Sequence, residues 1–271
     1  MTYIHGTSPD EQRRLSLMND LVNAGSLREI SLTPGERVLD CGAGLGQLAR
    51  LMAHAVGPSG RIVGVEYSPE QLASARRLAD SAGEAELVDF RRGDAAAPPL
   101  SDEEWGTFDV VHARFLLEHL REPLPVVRAM VRAARAGGRI VLEDDDHDVL
   151  RLWPEPPGFL EVWSAYQETY RRAGCDPLIG RKLPMLLHEA GATPRRSTWD
   201  FFGACAGDPA FPSAVANLLG IMTGARDAIL EIGSVDARAF DRGLDAVRAW
   251  EAIPGASFGY AIAWAEATKP A

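Results

Sequence analysis

From Arg37 onward the chain alternates short apolar runs with segments whose apolar residues recur at helical spacing. The runs are "RVLD", "RIVGVE", "LVDFRRGD", "FDVVHA" and "GRIVLEDDD". Between them, "QLARLMAHAV", "SPEQLASARRLADSAG" and "EPLPVVRAMVRAARAGG" read as helices. Ser68, Pro69 and Gln71 form a start signal for the second helix, and Gly137-Gly138 reads as the stop of the third. Strands separated by helices predict βαβ units and a parallel sheet, with every strand's C-terminal end on one ligand-binding edge. Upstream, Ser8, Pro9 and Glu11 open a helix in which Leu15, Met18, Leu21 and Val22 share a face. Beyond Asp148 the rhythm changes. Helices are expected in "GFLEVWSAYQETYRRAG", "GRKLPMLLHEAG" and twice between 209 and 252, with strands near 195–203 and 258–266.

The pattern implies a Rossmann-like α/β fold. Three parts are expected in one compact unit: a helical lid over 1–30, a ligand-binding core over 31–150, and a completion of the sheet over 151–271 carrying a helical cap at 209–252. The cap helices could also serve as a homodimer surface. At 271 residues and 46% hydrophobic, the chain can bury a sizeable core. Its net charge of −10 disfavours nucleic acid and anionic membranes as partners; basic pairs such as Arg76-Arg77 read as solvated helix faces. Cys41, Cys175 and Cys205 are too dispersed for a disulfide framework or zinc site, and no leader or membrane span is evident, so a cytoplasmic location is expected.

The candidate chemistry begins at "LDCGAGLGQL". Glycines after a first strand turn the backbone tightly and admit a ligand where a Cβ would clash. The spacing is GxGxG rather than the GxGxxG of a pyrophosphate cradle, and Asp40 stands directly before it. An acid there favours a cationic ligand. Glu66, ending the second strand, is placed to accept from ribose hydroxyls, and Gly93-Asp94-Ala95, ending the third, from an adenine amino group. Three acids at three strand ends suit a phosphate-free, cationic nucleoside better than a nicotinamide dinucleotide.

These ordered motifs, with "VGVEYSPEQL", "RRGDA" and "FDVVHARFLLEHL", closely resemble the class I S-adenosyl-L-methionine (SAM) dependent methyltransferases over residues 34–145, in particular the small-molecule branch related to quinone biosynthesis. The resemblance implies a seven-stranded sheet whose last strand is antiparallel, SAM as methyl donor, S-adenosyl-L-homocysteine as product, and a small-molecule acceptor. It implies that Asp40, Gly42, Ala43, Gly44 and Gln47 meet the methionine part. Glu66 would hold the ribose and Tyr67 the adenine face, with Gln71 beside them. Gly93, Asp94 and Ala95 would read the adenine edge, and His112 would line the sulfonium region. Tyr3, with His5 and Gly6, is expected to close over the donor.

Catalytic candidates are His112, Arg114 and the acid run "EDDDHD", Glu143 to Asp148, within which His147 is the best general base by intrinsic pKa. No metal is expected: "HARFLLEH" lacks the early aspartate of catechol-type enzymes. It also lacks the Asn-Pro-Pro-aromatic motif of enzymes that methylate DNA bases or glutamine. Trp153, Phe159, Trp163, Tyr166, Trp199, Phe201, Phe202 and Phe211 are expected to supply an apolar acceptor pocket. A nicotinamide-dependent oxidoreductase, a non-catalytic SAM-binding protein and aminopropyl transfer from decarboxylated SAM stand as alternatives.

Overall fold

A computed structural model describes residues 9–271 of the chain, with side chains from residue 11. Ser8 and the expected lid residues Tyr3, His5 and Gly6 lie outside the described residues. Helix α1 (Pro9–Ile30) leads into β1 (Arg37–Cys41), α2 (Gln47–Val56), β2 (Arg61–Glu66), α3 (Pro69–Ser81), β3 (Val88–Arg92), β4 (Phe108–Arg114), α4 (Leu124–Ala133) and β5 (Ala134–Asp145). The second half contains β6 (Arg151–Trp153), α5 (Phe159–Arg172), α6 (Leu183–Glu189), β7 (Thr193–Cys205), α7 (Phe211–Gly224), α8 (Arg226–Ile232), α9 (Ala237–Trp250) and β8 (Ser257–Thr268).

The sheet runs β3-β2-β1-β4-β5-β8, with both β6 and β7 paired to β8. Strands β1 to β5 are parallel, and β8 inserts antiparallel between β5 and β7 as expected. The eighth strand, β6, was not foreseen. Its three residues pair with the start of β8, too short a stretch to leave a period in the sequence.

Both faces of the sheet are covered, so its strands are continuous apolar runs rather than alternations. Leu39, Val63, Val111 and Ile140 pack on one side with Met130 of α4 and Leu187 of α6. Val38, Ile62, Val110 and Val141 pack on the other with Met52 of α2 and Leu72 of α3. Helices α5, α7, α8 and α9 enclose a third core around Phe159, Phe211, Met222, Phe240 and Trp250.

The cap on α3 forms as read: Ser68 Oγ accepts from the Gln71 amide at 3.2 Å. The stop of α4 does not. The helix ends at Ala133, because Ala134 already pairs with Phe108 in the sheet. Gly138 instead lies within β5 where its register shifts, and an added Cβ would stand 2.9 Å from the Phe108 carbonyl oxygen.

Candidate active site

At the C-terminal edge of the parallel strands lies a cavity of about 470 Å³, within the usual range of small-molecule sites. The turn after β1 forms one wall. Gly42 and Gly44 adopt left-handed φ of +78° and +55° and present their backbones to the cavity with Ala43. Glu66, Tyr67 and Gln71 form the next wall. The Glu66 carboxylate accepts from the amides of Gly44 (2.9 Å) and Ser68 (2.7 Å), which ties the glycine turn to the end of β2. Burial pushes its pKa up, and these amide bonds oppose the rise. Tyr67 is 55% exposed and free to offer its ring face to a ligand.

The register of three neighbouring strands builds the floor. Asp40 of β1 is paired with His112 of β4, and His112 with Val141 of β5, so Glu143 lies two residues further along on the same face. His112 is fully buried between two acids. Its Nδ1–H donates to Asp40 at 2.8 Å and its Nε2–H to Glu143 at 3.3 Å. Burial pushes the imidazolium pKa down, but the bonds to the two carboxylates outweigh it and hold it up at about 9. Burial would likewise raise Glu143, yet His112 and Arg114 keep it below the ordinary carboxylate range.

Helix α1 crosses above this floor with polar residues three and four apart. Ser26 donates to Glu143 at 2.6 Å, while the Arg114 guanidinium donates to Ser26, Asn19 and Asn23 at 2.7, 2.5 and 2.7 Å. Arg114 therefore faces the cavity with neutral oxygens as its hydrogen-bond acceptors. His112 and Arg114 are both brought to the site. His112, doubly bonded and already protonated, is not a general base there, and Arg114 is a fixed cation.

Gln47 does not reach the cavity; its side chain donates to Ser16 of α1 at 3.0 Å. Gly93, Asp94 and Ala95 stand outside its walls. Asp94 is exposed and accepts from Ala96 in its own turn at 2.9 Å, because the chain doubles back at a bridge with Ala97.

A smaller chamber of about 60 Å³ adjoins the cavity beneath the cap, sharing Met18, Phe115, Asp145, Tyr166 and Ile221 with it. Of the expected aromatic walls, Trp163, Tyr166 and Phe202 line this chamber. Phe159 and Phe211 are spent in the cap core, Trp199 packs against the sheet core, and Trp153 and Phe201 are 72% and 76% exposed. Phe115 holds a φ of +51°, rare for a bulky residue, at the junction of the two spaces.

His147 is also here, but it is buried and committed. Its Nε2 lies 2.9 Å from Glu118, and its ring stacks with Trp163 at 5.4 Å and meets Tyr170 edge-on at 5.2 Å. Burial holds its pKa down. Asp145, two residues earlier, fronts both spaces. Burial, aided by the neighbouring Glu118 charge, pushes its pKa up to about 7. The acid run was singled out in the sequence without a reason to prefer Asp145; burial supplies one. Glu118, Asp145 and His147 each place one ligand atom within 4.8 Å of the others. Asp145 accepts from the Tyr260 hydroxyl at 2.8 Å and Glu118 lies against His147 Nε2, while His147 Nδ1 has no hydrogen-bond partner among the described residues. Glu143 lay within the acid run singled out in the sequence, but Glu118, Asn19, Asn23 and Ser26 were missed. The i, i+4, i+7 stripe of Asn19, Asn23 and Ser26 beside the apolar face of Leu15, Met18, Leu21 and Val22 was the available signal.

The stability of the ligand-free protein should fall as pH rises from 7 to 9, above the range in which the depressed His119 and His147 act in the opposite direction. His112 has a folded pKa of about 9 against an ordinary 6.5, so its contribution is complete below the lower value and lost through the upper. That shift corresponds to roughly 3 kcal/mol. Asp145, raised from 3.8 to about 7, acts in the same direction at lower pH, since the folded state holds its proton longer. Denaturant unfolding from pH 7 to 9 checks this; a rising profile would contradict it.

A Rossmann-like sheet with an acid-glycine turn, a ribose-type acid after β2 and one reversed strand defines the methyltransferase class. The chain belongs to the methyltransferase-domain family, which it matches over residues 32–190. An uncharacterised 37.1 kDa protein of transposon TN4556 in Streptomyces fradiae is 32% identical over 190 residues, covering 68% of this chain and 52% of that protein. The ubiquinone/menaquinone biosynthesis C-methyltransferase of Ectopseudomonas mendocina is 36% identical over 177 residues, covering 62% and 63%. The chain spans about half the length of the curated relatives it matches. The crystal structure of a candidate methyltransferase from Bacillus halodurans C-125 superposes with a TM-score of 0.58 at 22% identity, covering 91% of this chain and 98% of that one, and shares the fold.

Proposed function

We propose that the chain uses SAM to methylate a small-molecule acceptor. The observation that carries this is the charge layout of the cleft: the Asp40 carboxylate and the Arg114 guanidinium flank one end, and Glu66 with exposed Tyr67 forms the other. A buried acid and a half-buried cation together suit the ammonium and carboxylate of an amino-acid group. Glu66 keeps lone pairs for a ribose diol, and Gly42 and Gly44 leave the close backbone approach open. When bound, the donor supplies an electrophilic sulfonium methyl group. The chain's own work is then to hold the acceptor in line and take up its proton. Asp145 fits the second task better than His147, whose Nε2 is bonded to Glu118.

Calorimetric titration with SAM, S-adenosyl-L-homocysteine and NAD tests this reading. The first two should bind and NAD should not; the reverse order would overturn it. Glu66→Ala should weaken SAM binding by ~1.5–3 kcal/mol through lost charge-assisted hydrogen bonds, and unchanged affinity in a folded variant would refute that role.

No helix among the described residues is long and apolar enough to cross a membrane. With three free thiols and an acidic surface, a cytoplasmic setting without nucleic-acid partners fits the proposal. The lid over 1–30 and the cap over 209–252 belong to the same proposal: α1 and α7 both contribute wall residues, Leu15 and Ile221 among them. A homodimer through the cap would be a separate property, checked by light scattering.

A further inference from the structure

The smaller chamber narrows the acceptor, an inference that rests on the methyl-transfer reading above. Its walls are apolar and aromatic, with Phe115, Trp163, Phe202, Phe258 and Tyr260 among them. Among its described lining residues, Asp145 and His147 are the only ones of charged type. Asp145 accepts one hydrogen bond, from the Tyr260 hydroxyl at 2.8 Å. His147 Nε2 stands 3.8 Å away and is bonded to Glu118 instead. The guanidinium of Arg14, whose charge also reaches Asp145, is paired with Glu11 at 2.6 Å. No lysine or arginine lies within ion-pair distance of Asp145 among the described residues.

A carboxylate facing an apolar chamber without a cation is costly unless a ligand brings one. The surrounding ring faces favour the same guest, because aromatic quadrupoles attract cations. A neutral alcohol would leave the charge uncompensated, and an anionic acceptor would meet both Asp145 and the neighbouring Glu118.

We infer that the acceptor is an amine, an ammonium group on a small apolar body, with its nitrogen seated against Asp145 at the seam between chamber and cleft. The ammonium proton passes to the Asp145 carboxylate. The freed nitrogen lone pair forms the N–CH3 bond as the donor's S–CH3 bond breaks, and that bond's electron pair stays on sulfur as a thioether. Burial beside Glu118 raises Asp145 to about 7, which leaves the group able to hold that proton near neutrality.

The test pairs 2-phenylethylamine with 2-phenylethanol, which share one body and differ in charge. Each is titrated calorimetrically into the full chain, with and without saturating S-adenosyl-L-homocysteine. The amine should bind at least tenfold more tightly, and Asp145→Asn should remove the preference while melting within a few degrees of the parent. Tyr260→Phe, which frees the carboxylate from its hydroxyl donor, should retain the preference. Equal affinities, binding of neither probe, or a preference that survives Asp145→Asn overturns the inference. Failure of S-adenosyl-L-homocysteine to bind while the amine preference holds would overturn the donor reading and leave the amine site standing.

Discussion

His112→Leu is expected to lower the unfolding free energy by ~3–5 kcal/mol, the usual cost of stranding a buried charge. The leucine would fill similar space but leave two carboxylates, Asp40 and Glu143, facing each other without the imidazolium that joins them at 2.8 and 3.3 Å. Ser26 would still donate to Glu143, and Asp40 would have no side-chain partner among the described contacts of the floor. Denaturant unfolding at pH 7 measures the loss. A second readout separates this cause from simple misfit: the fall in stability through pH ~9, which His112 contributes, should disappear in the variant. A loss below about 1 kcal/mol, or an unchanged pH profile, would mean that the two acids do not depend on His112.

Gly46→Val should cost a comparable amount, ~3–5 kcal/mol, by a steric route. Gly46 precedes α2 with φ of +70°, and an added Cβ would stand 2.3 Å from the rim of the Phe90 ring. A branched side chain in a left-handed conformation adds backbone strain to that overlap. The comparison with Gly44→Val is informative. There an added Cβ would meet the Gln71 amide oxygen at 3.3 Å, and a flexible side chain can withdraw. Sequence reasoning gave Gly44 a ligand contact and assigned none to Gly46. Packing moves the greater cost to stability to Gly46, while Gly44→Val is expected to act on donor affinity. Melting temperatures of the two variants, with SAM titrations, separate these effects; equal melting points would refute the ranking.

The site was legible where chemistry depends on residues local in sequence. The turn from Asp40 to Gly44, the acid Glu66 and its neighbour Tyr67 each sit at the end of a strand, and strand ends in a parallel sheet share one edge. The Ser68 cap was legible for the same reason, since its donor is three residues away. Asp94 misled because a strand end fixes an edge, while the direction of a side chain there depends on the next turn. Gln47 misled because its partner, Ser16, is distant in sequence.

What the sequence by itself determined was the periodicity, hence the parallel sheet and the tight glycine turn at its ligand-binding edge, while the reversed last strand was implied by the family resemblance. The sheet and the turn follow from local rules: apolar spacing, caps and the absence of a Cβ. Tertiary structure decided which ionisable groups are bases, cations or props. Asp40, His112 and Glu143 come from three strands and become one charged unit only because the sheet register aligns them. His147 has the better intrinsic pKa for a base, yet its Glu118 partner and the rings of Trp163 and Tyr170 bind it in place. Asp145, indistinguishable from its neighbours in "EDDDHD", is lifted to about 7 by burial beside Glu118 at the mouth of the apolar chamber. Desolvation and the charges of distant residues set a proton affinity, and neither is written in the local sequence.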